Sequence, residues 1–154
     1  MPISFEKYLI LFSSALELFI NNNIIMNILI VDAARDKFFL ELIIDKNIYT
    51  CSYENSKSNF EKMIILIDDF LKSNKSSLNQ INKIYVNRGP GSFAGIRNSL
   101  ATIKALFLTK KIDYYCFSFD DFKGLNDTVK YEDVPLLCKK FKIKKNLINP
   151  IYLS

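Results

Sequence analysis

The chain has 154 residues, 49% apolar and 24% charged. That fits one globular domain with a real core and excludes wholesale disorder. There is no His, and the three Cys (Cys51, Cys116, Cys138) are far apart, so a zinc site, a disulfide scaffold and His-based catalysis are all disfavoured. A net charge of +5 permits acidic partners without demanding them.

Residues 1–25 stand apart. Ser4 can cap a short helix with Phe5, Leu9, Phe12, Leu16 and Ile20 on one stripe, and Asn21-Asn22-Asn23 stops it. Two readings stay open: an added amphipathic helix, or a misassigned start with Met26 as the true first residue. The stretch Tyr8 to Ile20 is too short to span a membrane and lacks a basic leader, so the cytoplasm is the expected compartment and no membrane contact is expected.

Residues 27–34 (NILIVDAA) read as a buried strand. Residues 37–44 and 47–53 read as two more, joined by a hairpin turn at Asp45-Lys46. A helix follows, capped at Ser58 or Asn59, with Phe60, Met63, Ile64, Ile67, Phe70 and Leu71 on one face and Ile65 and Leu66 off it. Residues 83–87 form a strand, 93–109 a helix capped by Ser92, 113–118 a strand, and 119–125 a short helix or turn. The order βββαβαβ predicts an α/β fold in which helices pack on a mixed sheet. This is the ribonuclease-H-like, actin-like (ASKHA) arrangement, and order alone assigns no function. Residues 126–154 are expected to be a Lys-rich tail, with Phe141 and Ile143 alternating with lysines in a strand-like pattern.

Three of the four glycines, Gly89, Gly91 and Gly95, fall within seven residues. Pro90 stiffens the turn between the first two, and Ser92 caps the helix whose free N–H groups point back at the loop. Such a corner can cradle an anion, with Arg88 and Arg97 adding charge, or it can be a tight turn with nothing bound. No Gly-Lys-Ser/Thr closes it, so it is not a Walker motif.

Residues 84–106, IYVNRGPGSFAGIRNSLATIKAL, resemble the signature of the TsaB family, in which a strand leads into GPGSFTGLR. Gly89, Pro90, Gly91, Ser92, Phe93, Gly95 and Arg97 match, while Ala94 and Ile96 stand for Thr and Leu. ILIVDAA is similar to the family opening ILAIDTS, with Asp32 retained and Ala33-Ala34 in place of Thr-Ser. Phe117-Ser118-Phe119 and the ending NPIYL also resemble family segments. The resemblance covers about residues 26–122 and then the last few residues; residues 26–125 are expected to form a first subdomain, and the tail 126–154 stands where members carry a second one.

The resemblance implies a non-catalytic partner of the TsaD-type subunit that transfers threonylcarbamoyl to the tRNA adenosine beside the anticodon. A TsaE-type ATPase joins the pair. It implies no cofactor, no metal and no catalytic residue here. Asp32 stands where the superfamily contacts phosphate or magnesium, but without the neighbouring hydroxyls an Asp that caps its own turn is the simpler reading. The helix 93–109 is apolar nearly all round and should bury two faces. The expected partner surface is therefore Ile96, Leu100, Ile103 and Phe107, together with Ile65 and Leu66; coverage by the tail or the N-terminal helix is the competing reading. Contact with tRNA is expected to be indirect or through the Lys-rich tail, which otherwise reads as a Lys-guarded edge. Three alternatives are a small nucleotide-binding ATPase or phosphotransferase of the same superfamily, a peptidase (which lacks any nucleophile–base pair), and a degenerate scaffold with another partner.

Overall fold

The apolar runs pair much as their spacing predicts. A computed structural model describes residues 4–9, 12, 26–125 and 128–152. Strands β1 (Ile28–Asp32), β2 (Lys37–Ile44), β3 (Asn47–Glu54), β4 (Lys83–Asn87) and β5 (Asp113–Phe117) form one sheet in the order β3-β2-β1-β4-β5. The first three make an antiparallel meander, and β1, β4 and β5 run parallel. Asp45 and Lys46 both take positive φ, 48° and 70°, the backbone of a tight primed hairpin turn. β1 is buried at every residue because it lies mid-sheet with a layer on each face.

On one face sit α1 (Lys57–Glu61), α2 (Met63–Ser73) and α3 (Phe93–Lys110). The single expected helix from Ser58 or Asn59 is instead two, broken at Lys62. Its cap is Ser56, whose backbone is extended and whose Oγ accepts from the Asn59 amide at 3.1 Å. Phe60, Met63, Ile67, Phe70 and Leu71 face the sheet as expected, but Ile64 is 40% exposed. α3 starts where predicted, with Ser92 Oγ accepting from the Gly95 amide at 3.2 Å. It ends at Lys111, which takes the left-handed conformation (φ 58°) and returns its amide to the Phe107 carbonyl. Leu29, Val31, Leu40, Ile84 and Val86 meet these helices in one apolar cluster.

The opposite face is closed by the segment expected to be a simple tail. A turn at Phe119–Asp121, capped by Ser118, leads on to a turn at Tyr131–Asp133 and to α4 (Val134–Lys140), with Pro135 in its first turn. Ile28, Ile30, Tyr85, Phe117, Phe122, Val134, Leu137 and Cys138 form a second core there. The strand-like alternation read at 139–145 is not realised. Lys139 and Lys140 end α4, and only Lys145 bridges to the edge strand, at Tyr115. A short helical signal was also present: Val134, Leu137, Cys138 and Phe141 recur at i, i+3, i+4 and i+7. Residues 5–9 are helical, and the Lys7 amide lies 3.4 Å from Ser4 Oγ. Contact there runs through Tyr8, which donates to Asp133 Oδ2 at 2.8 Å, while Phe5 and Leu9 are exposed. Leu16 and Ile20 lie outside the described residues. Among the described residues, no helix is long and apolar enough to cross a membrane.

Glu41 on β2 is buried in this second layer, and its Oε1 has no hydrogen-bond partner. Burial, and then the charges of Glu132 and Asp133, push its pKa from 4.5 up to about 7. The folded state therefore holds this proton more tightly than the unfolded chain does. The resulting stability is fully present below about pH 4.5 and is lost as pH rises through about 7. Glu41→Gln is expected to raise stability at mildly alkaline pH by about 1–2 kcal/mol and to flatten the pH dependence across that window. Urea unfolding at several pH values checks this, and an unchanged slope would contradict it.

Candidate functional site

The site lies at the carboxyl ends of β1 and β4, the end of an open α/β sheet where ligand crevices form. Asp32, the last residue of β1, is fully buried. Its Oδ1 accepts from the Ala34 amide at 2.9 Å, a local turn cap. Its Oδ2 accepts from Asn87 Nδ2 at 2.9 Å and from the Tyr131 hydroxyl at 2.7 Å. Arg35 Nε approaches the same oxygen at 3.8 Å, with its guanidinium 3.9 Å from the centre of the Phe119 ring. Burial, and then the Asp32 charge, push the Tyr131 hydroxyl well above its usual range, so it acts as a fixed donor. One carboxylate thus joins β1, β4 and the segment on the second face.

The glycine corner follows directly. Asn87 Oδ1 accepts from the Gly89 amide at 2.9 Å, and the Gly89-Pro90 peptide is cis. The Ser92 amide donates to the Ala34 carbonyl at 2.8 Å. A Cβ at Gly91 would overlap the Ala34 carbonyl oxygen, and one at Gly95 the Ala33 carbonyl oxygen. Gly89 sits at φ 108° with the Ile151 carbonyl oxygen against it, so it is barred to other residues on two counts. The glycines let β4 and α3 close onto the end of β1 and onto the segment at Ile151. Several of the corner's donors are thereby committed within the chain.

Arg88 is committed too. Its guanidinium bonds Asp121 Oδ1 at 2.6 Å and the Asn149 carbonyl at 3.1 Å. Its backbone donates to the Phe117 carbonyl and accepts from the Ile151 amide. Arg97 is exposed on α3. The structure therefore brings together Asp32, Arg88, Gly89, Gly91, Ser92 and Gly95. Pro90, Phe93 and Arg97 lie at its open side.

The six residues expected at a partner surface separate. Ile96, Leu100 and Ile103 are buried against the sheet. Phe107 is half-buried, packing edge-on to Tyr114 at 5.6 Å, and Leu66 is also half-buried. Only Ile65 is open, at 57%. The outward residues of the helical layer are instead Ile64, Ile65, Phe93 (59%) and Leu108 (58%). Asn87, Tyr131, Asp121 and Ile151 were not anticipated. Asn87, an Asn two residues before a glycine at a strand end, carried a local turn signal; Tyr131, far along the chain, carried none.

No group of three or more Cys, Asp or Glu among the described residues is placed to hold a metal ion. The cysteines are free thiols. Burial pushes Cys116 up to about 12 and Cys138 higher still, so both are inert apolar filling.

Residues 54–118 match the family model described as TsaD, tRNA N6-adenosine threonylcarbamoyltransferase. The chain is 35% identical over 80 residues to the tRNA threonylcarbamoyladenosine biosynthesis protein TsaB of Buchnera aphidicola subsp. Baizongia pistaciae, a match covering 44% of this chain and 36% of that protein. It is 31% identical over 91 residues to the protein of the same name from subsp. Schizaphis graminum, covering 59% and 43%. Among solved structures it resembles YeaZ from Pseudomonas aeruginosa at 17% identity and a TM-score of 0.56, covering 60% of this chain and 44% of that one. The chain thus spans well under half the length of these curated relatives.

Proposed function

The chain belongs to the TsaB/YeaZ family and carries the actin-like (ASKHA) arrangement, and on that premise we propose that it serves in tRNA threonylcarbamoyladenosine biosynthesis as a non-catalytic subunit that docks onto a TsaD-type transferase. A TsaE-type ATPase would join that pair. The observation that carries the docking role is the outer surface of the helical layer. Ile64, Ile65, Phe93 and Leu108 are apolar and open, although the same helices already bury their inner faces on the sheet. Supporting the non-catalytic part, the one buried carboxylate at the strand ends has its oxygens taken by Ala34, Asn87 and Tyr131. A nucleotide-hydrolysing reading draws no support from Asp32 for the same reason.

The test is co-purification with the TsaD-type subunit of the same genome, with affinity measured by titration. Ile65→Glu is expected to weaken association roughly tenfold or more while leaving thermal unfolding unchanged. Equal affinity for both proteins would remove this surface from the reading, and absence of any complex would remove the docking role. A charge at Leu100 or Ile103 is a poor probe, because either would disrupt the core before any interface.

A further inference from the structure

We propose that the end of α4 and the turn after it, bearing Lys139, Lys140, Lys142 and Lys144, form an RNA-binding surface that contacts the phosphate backbone directly. The first observation is how the charge is distributed along the chain. Residues 134–154 hold five lysines and no acidic residue, while residues 1–133 hold 16 basic and 16 acidic residues. The entire formal excess of +5 therefore lies in this one segment.

The second observation is which side chains point outward. Lys139, Lys140, Lys142 and Lys144 are exposed, and among the described residues none is ion-paired. The chain reverses through positive φ at Lys142 (54°) and Asn146 (59°). Phe141 and Ile143, which alternate with the lysines, turn inward onto the second core, with Phe141 5.7 Å from Phe122. Lys145 bridges to Tyr115 and pairs with Asp113 at 3.4 Å, and Lys83 lies 5.7 Å from the same Tyr115 ring. The basic surface thus continues to the sheet edge.

The chemistry selects the partner. Two lysines in the last turn of α4 suit the helix dipole, and Lys145 guards the edge strand. Neither role accounts for Lys142 or Lys144. Protein interfaces are depleted in lysine and built on apolar anchors. Between Lys139 and Lys144 the apolar residues Phe141 and Ile143 are withdrawn and the flexible point charges face out, with exposed Leu147 and Ile148 following beyond Lys145. That pattern suits a phosphate backbone, read without base specificity. The choice of RNA among polyanions rests on the family reading above.

Binding of a fluorescently labelled, unmodified tRNA transcript to the full chain, followed by anisotropy at several salt concentrations, tests this. Contact with about four phosphates predicts an affinity loss of roughly 50- to 150-fold between 50 and 200 mM salt. The combined variant Lys139→Gln, Lys140→Gln, Lys142→Gln, Lys144→Gln should reduce the salt slope by about 3 units and keep the wild-type melting curve, its side chains being exposed. Ile65→Glu should bind RNA normally, which separates this surface from the docking face. Equal affinity and slope for the lysine variant would overturn the proposal. So would loss of association with the TsaD-type subunit in a lysine variant whose wild-type parent binds no RNA, since the patch would then serve a protein.

Discussion

Gly95→Ala is expected to destabilise the chain by about 2–3 kcal/mol, as read from urea unfolding. The sign is informative, because Gly95 lies within α3, where helix propensity alone favours Ala by about 1 kcal/mol. Steric overlap decides the outcome. The new methyl would be driven into the Ala33 carbonyl, a backbone atom at the end of a buried strand that no rotamer change can move. A variant more stable than the parent would mean that β1 and α3 can separate slightly at this corner. It would then deprive the corner of its role in fixing the two elements.

Asp32→Ala carries the other large effect, an expected loss of about 3–5 kcal/mol. The substitution leaves the Ala34 amide, the Asn87 side-chain amide and the Tyr131 hydroxyl without their shared acceptor in a fully buried setting. Tyr131→Phe removes only one of these bonds and should cost about 1 kcal/mol. Combined, the two should be less than additive, since the second removes a donor that the first has already orphaned. Circular dichroism unfolding of the three variants measures it. A neutral or stabilising Asp32→Ala would mark Asp32 as a group held ready for a ligand at the expense of stability, and would revive a nucleotide-binding reading.

The sheet was legible because its information is local. A continuous apolar run for β1, alternation in β2 and the Asp45-Lys46 turn each act within a few residues, and the parallel β4 and β5 follow from the helix between them. The glycine corner was legible as a motif but not as a contact. Spacing says that Gly89, Gly91 and Gly95 need room, but not that carbonyls of Ala33, Ala34 and Ile151 take it. Likewise, Ile96, Leu100 and Ile103 were read as outward because α3 is apolar all round, and composition cannot tell the side facing the sheet from the side facing away. The second layer was missed because α4 has only seven residues, too few for a periodic signal to outweigh a run of lysines.

The passage of residues 149–151 beside the β4–α3 corner has a kinetic side. Arg88 reaches the Asn149 carbonyl across 61 residues, and the Ile151 amide donates back to the Arg88 carbonyl. With the Ile151 carbonyl lodged against Gly89, neither stretch can swing open while the other stays shut. Their amides thus belong to one cooperative opening unit. The part of the chain richest in glycine, which by composition should breathe most freely, is therefore expected to exchange its hydrogens at the pace of the sheet it joins.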